Sequence, residues 1–99
     1  MREHTYFTYI LAAAPRGPTY VGVTNDLRRR VAEHQAGVGS KHTAKHNIWR
    51  LVYFEIHSDI AEAILREKRI KRWRVEWKHD LIETLNPNWE NLSLENMDF

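Results

Sequence analysis

Two aromatic and β-branched runs, TYFTYILAA (residues 5–13) and TYVGV (residues 19–23), flank the five residues APRGP. Runs of this kind read as strands, and the Pro and Gly between them read as a tight turn. The chain therefore opens on a β-hairpin. A hairpin alone does not survive in water, so the rest of a 99-residue chain must supply a further strand and cover for the faces. The aromatic content of the first run also favours a strand over the apolar segment of a signal peptide.

The following residues meet that demand. Thr24 or Asn25 can cap a helix that runs to about Gln35, and Gly37 stops it. Residues 37–47, GVGSKHTAKHN, read as a basic loop. IWRLVYFEIH (48–57) is a third strand. Asp59 and Glu62 form a capping box for a helix through about Trp73. A further helix spans Val75 to Leu85, and Asn86-Pro87 breaks it. The order β-β-α-β-α-α predicts an α+β domain with a small antiparallel or mixed sheet. Residues 1–99 are one domain, with residues 86–99 as an acidic tail wrapping its surface.

Charge is unevenly placed. Residues 1–78 hold all 15 Lys and Arg but only 8 of the 13 acids, and so carry +7. Residues 79–99 hold the other 5 acids and no Lys or Arg. A basic body suggests a polyanionic partner, and a merely soluble surface is the bland alternative. With no cysteine, disulfides and thiolate zinc sites are excluded, and a reducing, cytoplasmic setting is the expectation. No apolar run approaches the ~20 residues of a membrane span, so no membrane partner is expected.

Helical phase separates residues that look alike. In the first helix Leu27 and Val31 mark the core stripe, with Arg30 and His34 on or beside it. Arg28 and Arg29 point away, towards solvent or a ligand. In the helix after Asp59, the residues Ile60, Ala63, Ile64 and Ile70 share a face, and Glu67 stands in the middle of it. A carboxylate there needs a partner, either a neighbouring arginine or a hard cation. Tyr9 and Tyr20 read as sheet tyrosines, and Gly22 as a point of close approach. His42 and His46, spaced i,i+4, with His34 could mimic a metal cluster, a weaker reading without cysteine support. REKRIKRWRVEWK (66–78) interleaves basic residues with Trp73 and Trp77. Such a stretch can track a nucleic-acid backbone and stack bases, but the tryptophans read better as core.

Taken together, Phe7-Thr8-Tyr9, Tyr20-Val21-Gly22, the following TNDLRRRV, EAILREKRIKRW and Asn86-Pro87-Asn88-Trp89 resemble the GIY-YIG nuclease superfamily. The resemblance covers nearly the whole chain and is greatest to small standalone bacterial members. It implies a three-stranded antiparallel sheet flanked by helices. It also implies hydrolysis of phosphodiester bonds in DNA with one divalent metal, Mg²⁺ or Mn²⁺. By resemblance, Glu67 is the metal ligand and Arg30 neutralises the scissile phosphate. Tyr20 activates or positions the attacking water, Tyr9 shapes the site beside it, and His34 assists proton transfer. Asn86 matches a late asparagine that helps hold a phosphate. Two departures stand out. Val23 replaces a lysine of the excision-repair relatives, and Phe7 replaces the leading glycine of the family name.

No appended DNA-binding domain is expected beside these motifs. The expected footprint is small: Arg28, Arg29, Lys41, Lys45, Lys68, Arg69 and Arg72. The expected substrate is single-stranded, branched or damaged DNA in repair, recombination or processing, unless a protein partner supplies specificity. Two other classes remain open on sequence. One is a nucleic-acid-binding module without significant catalysis. The other is an interaction protein whose acidic tail masks its basic face.

Overall fold

The computed structural model describes residues 4–99. Its elements are β1 (Tyr6–Ala12), β2 (Thr19–Thr24), α1 (Leu27–Gln35), α2 (Lys41–Lys45), β3 (Arg50–His57), α3 (Ile60–Arg72) and α4 (Val75–Leu85). The three strands make one antiparallel sheet in the order β2-β1-β3, as the sequence indicates. Among the described residues no helix is long and apolar enough to cross a membrane.

β1 is the central strand, and its residues from Phe7 to Ala12 are all buried. The pleat sends alternate side chains to opposite faces. Phe7, Tyr9 and Leu11 meet Leu27 and Val31 of α1, with Ile48 and Leu51. Ile10 and Ala12 meet Val21, Ile70 of α3, Ile82 of α4 and Trp89. Thr8, fully buried on this second face, donates its hydroxyl to the Ala63 carbonyl of α3 at 2.8 Å. That bond fixes where α3 lies along β1.

The pairing of β1 with β3 slips between Ile10 and Leu11. Ile10 opposes Tyr53 and Leu11 opposes Leu51, so Val52 is the extra residue of a β-bulge. Val52 and Tyr53 consequently join the same core cluster. The Val52 carbonyl accepts from the Asn86 amide at 3.1 Å.

Four local expectations change. Residues 41–45 are a short helix rather than loop, because the Ser40 hydroxyl accepts the Thr43 N–H and caps it. Asp26, not Thr24 or Asn25, caps α1, with its carboxylate on the Arg29 N–H. The Thr24 hydroxyl is engaged in the turn just before, accepting from the Asp26 N–H. Asp59 caps α3 through the Ala61 N–H, and Glu62 adds no reciprocal bond among the described residues. On α3 only Ala63 and Ile70 of the expected stripe are buried. Ile60 and Ile64 are exposed at 49% and 38%, because a thin sheet takes a narrow stripe from a single helix.

The tail does more than wrap the surface. Trp89 is 1% exposed, in left-handed backbone with φ 56°, and its ring lies edge-on to His79. Its indole donates to Glu83 at 2.7 Å. Beyond it, Asn91 Oδ1 accepts the Leu51 N–H, and the Leu92 N–H donates to the Leu51 carbonyl. The tail therefore closes the outer rim of β3 at Leu51. Truncating a buried tryptophan leaves a cavity and loses its burial. Trp89→Ala is expected to lower unfolding stability by about 3–5 kcal/mol, read as a shifted midpoint in urea denaturation.

Candidate active site

α1 carries the inward residues because it is capped at both ends. Past its last turn, Gly37 takes φ 80°, its N–H donates to the His34 carbonyl, and the Val38 N–H reaches the Glu33 carbonyl. This is the glycine-terminated helix end expected at Gly37. The phase fixed by Asp26 then turns Leu27, Val31 and His34 into the core.

His34 is 3% exposed and has a partner at each ring nitrogen. Nε2 lies 3.2 Å from the Tyr9 hydroxyl, and Nδ1 lies 3.1 Å from the Thr43 hydroxyl. Thr43 in turn meets the Ser40 hydroxyl at 2.7 Å. The short helix α2 is thus what holds the imidazole from behind. Burial, followed by the charge of Arg30, pushes the His34 pKa below its ordinary value. Burial also raises the Tyr9 phenol to about 12, with Arg30 holding it back in part. At neutral pH the pair is an imidazole and a phenol, both uncharged.

Two glycines make room for these rings. A Cβ on Gly22, opposite Tyr9 in the β1–β2 register, would lie 2.5 Å from the Tyr9 hydroxyl oxygen. A Cβ on Gly39 would fall inside the His34 ring contact, under 3.0 Å from three of its atoms. The expectation of a close approach at Gly22 is thereby explained: the approaching group is Tyr9.

Arg30 is 31% exposed at its side chain. Nη1 donates to Glu33 at 2.9 Å and Nη2 to the Gly39 carbonyl at 3.0 Å. A guanidinium has five N–H donors, so donors remain for another group. Tyr20 is half-buried, with its ring 6.4 Å from Tyr9 and 5.4 Å from His34. Its hydroxyl has no hydrogen-bond partner among the described residues. The structure therefore brings Tyr9, Tyr20, Arg30 and His34 together.

Among the described residues no hydrogen bond or ion pair joins Glu67 or Asn86 to these four. Glu67 sits one turn beyond Ala63, the residue pinned to Thr8, and its side chain is 15% exposed. It pairs with Lys71, four residues on, rather than with an arginine. Asn86 is 5% exposed, and its amide is committed to backbone: Nδ2 to Val52 and Glu90 carbonyls, Oδ1 to the Glu90 N–H. Its geometry is that of a clamp for the tail.

The basic residues also divide. Arg29, Lys41, Lys45, Lys68, Arg69 and Arg72 are exposed. Arg28 is engaged: its guanidinium donates to the carbonyls of Leu94, Met97 and Phe99 and lies 4.8 Å from the Phe99 ring centre. His42 and His46 have ring centres 4.6 Å apart, but among the described residues no three His, Cys, Asp or Glu come together to hold a metal. The tryptophans part company. Trp73 is partly buried against the core, whereas Trp77 is 52% exposed, which corrects its assignment to the core. Sequence reasoning missed Glu33, Gly39 and Thr43. The i,i+3 spacing of Arg30 and Glu33 was a usable signal; the other two depend on a fold of residues 37–47 that spacing does not show.

A model of the GIY-YIG catalytic domain matches residues 5–80. The chain is 35% identical to a UPF0213 protein of Bacillus pumilus over 86% of each chain. It is 37% identical to a UPF0213 protein of Haloquadratum walsbyi, over 79% of this chain and 86% of the other. The solution NMR structure of a UPF0213 protein from Bacillus halodurans aligns with a TM-score of 0.55 at 28% identity, covering 95% of this chain and 99% of that one. The matched model is a catalytic domain, and its family is one of nucleases. The chain belongs to the GIY-YIG family.

The His34 pKa has a direct consequence. In the folded state the ring resists a proton that it takes more readily when unfolded. The unfolded chain then binds more protons, so stability falls as pH drops below about 6.5 and continues to fall to the depressed folded pKa. His34→Gln is expected to flatten this decline, measured as the thermal midpoint of both proteins between about pH 7 and 5.

Proposed function

We propose that the protein is a metal-dependent DNA endonuclease acting on single-stranded, branched or damaged DNA. The observation that carries this reading is the Tyr9–His34 pair, already assembled beside Arg30 and an unengaged Tyr20 hydroxyl. Family membership supplies the reaction class. The charge of residues 1–78 suits a polyanionic substrate.

In this proposal Arg30 donates its remaining N–H groups to the non-bridging oxygens of the scissile phosphate. Glu33 and the Gly39 carbonyl hold the guanidinium in place while it does so. Tyr20 orients the water. Tyr9 has too high a pKa to act as a free base, so it relays instead. It accepts the incoming proton as it passes its own to Nε2 of His34. Arg30, a donor only, faces the Tyr9 oxygen, which favours this direction of the Tyr9 proton. Nδ1–H then rests on Thr43.

Glu67 is the residue that would hold the divalent cation. It is a carboxylate largely removed from water, with a lysine partner that is itself half-exposed and free to swing away. With no three-donor cage among the described residues, the site suits an ion that keeps most of its water, as Mg²⁺ does. Such an ion supplies positive charge to the phosphate and the leaving oxygen. α3, which carries Glu67, is registered on β1 by the Thr8–Ala63 bond, directly behind Tyr9. A role in repair, recombination or DNA processing follows from the substrate class, with a protein partner supplying any sequence preference.

The test is cleavage of single-stranded, duplex, branched and RNA substrates with Mg²⁺ or Mn²⁺. Arg30→Ala and Glu67→Gln are each expected to reduce the rate by roughly 10²-fold or more while the circular dichroism spectrum is retained. Undiminished cleavage in both variants would overturn the assignment.

A further inference from the structure

The stretch 66–78 holds seven basic residues against Glu67 and Glu76. In the structure two indoles of this stretch lie between two guanidinium groups as a ladder. Arg66 lies 5.2 Å from the Trp73 ring centre. Trp73 meets Trp77 edge to face at 6.4 Å. Arg74 lies 5.6 Å from the Trp77 ring centre. The inner end is fixed. Glu55 of β3 takes Arg66 in three contacts of 2.8 to 3.0 Å, and the Tyr53 hydroxyl donates to the same carboxylate at 2.6 Å. The outer end is open, with Trp77 at 52% exposure and Arg74 exposed.

A half-exposed tryptophan on a rigid support offers a flat apolar face to a partner. Its surroundings narrow what could cover it. The net charge of +5 over residues 66–78 opposes a basic partner and favours a polyanion. Guanidinium groups at the ring faces mark places where a flat π-system and a phosphate can be met together. A nucleobase offers the first and its backbone the second. In paired DNA the base faces are buried in the stack, so the ring can take only an unpaired base.

We infer that Trp77, backed by Trp73 and flanked by Arg66 and Arg74, is a stacking platform for unpaired bases of a single-stranded nucleic acid. Arg74 turns from the ring to a backbone phosphate, and a base takes its place over the indole. Arg66, the inner end of the ladder, directly precedes the proposed metal ligand Glu67 in α3. This inference rests on the reading of the substrate as nucleic acid and adds where its unpaired portion is gripped.

The experiment measures binding by fluorescence anisotropy in metal-free buffer with EDTA, where no cleavage occurs. The probes are a labelled oligothymidine, an abasic oligonucleotide of the same length, a blunt duplex and poly-glutamate. Trp77→Ala is expected to weaken oligothymidine binding roughly 5-fold or more. Trp77→Phe retains most of it. Binding of the abasic strand and the duplex changes less than about two-fold, since their contacts are to phosphate. Oligothymidine also quenches tryptophan emission in the parent protein and does so less in Trp77→Ala. Unchanged oligothymidine affinity in Trp77→Ala overturns the inference, as does an equal loss for all four probes. Stronger Trp77-dependent binding of poly-glutamate than of oligothymidine assigns the face to an acidic protein and also overturns it. The two readings separate cleanly. Trp77-dependent base binding without metal-dependent cleavage would sustain the platform and remove the nuclease assignment. Cleavage with Trp77-independent binding would do the reverse.

Discussion

The contact on which the site depends is the Tyr9 ring lying against the backbone of Gly22. β1 and β2 are paired there, so the ring has no room to stand unless its cross-strand neighbour lacks a Cβ. With that space granted, the phenol reaches across to α1 and meets His34. His34 repeats the device on the other side, its own ring lying against Gly39. Two side chains that carry the proposed proton movement are thus located by backbone rather than by rotamer packing alone. A positioned pair of this kind needs little rearrangement when a substrate arrives.

The second constraint is the thickness of the sheet. β1 is covered on both sides, so neighbouring residues Thr8 and Tyr9 serve different helices. Tyr9 serves α1, and Thr8 holds α3 through Ala63. The proposed phosphate-binding arginine and the proposed metal ligand therefore stand on helices that cover opposite faces of the same hairpin. Their separation is bridged by the strand between them.

Much of this was legible in the residue order. The hairpin, the third strand and three of the helices follow from alternation, Pro and Gly placement and helical phase. Arg30 and His34 are turned inward as phase requires, and Gly22 is a close approach as its place in a strand suggests. The misses have physical reasons. Helix α2 is too short for periodicity and depends on one serine cap. Arg28 is exposed as phase requires, yet the tail folds back to it over a separation no spacing rule covers. Asn86 has the family's residue type, but its amide is occupied by a bulge carbonyl and by Glu90, and the bulge itself leaves no mark in the sequence. Trp77 looked like core because its helix has apolar neighbours. Phase alone cannot say that α4 reaches the core chiefly through His79 and Ile82.

The tail's bond to Leu51 has a bearing on how the molecule keeps to itself. A small sheet presents two outer rims of unsatisfied amides and carbonyls, and each invites a foreign strand. Asn91 and Leu92 occupy the β3 rim at Leu51 with the chain's own backbone and side chain. The other rim belongs to β2, the strand that carries Tyr20. A foreign strand approaching β3 at Leu51 would first have to displace the chain's own tail.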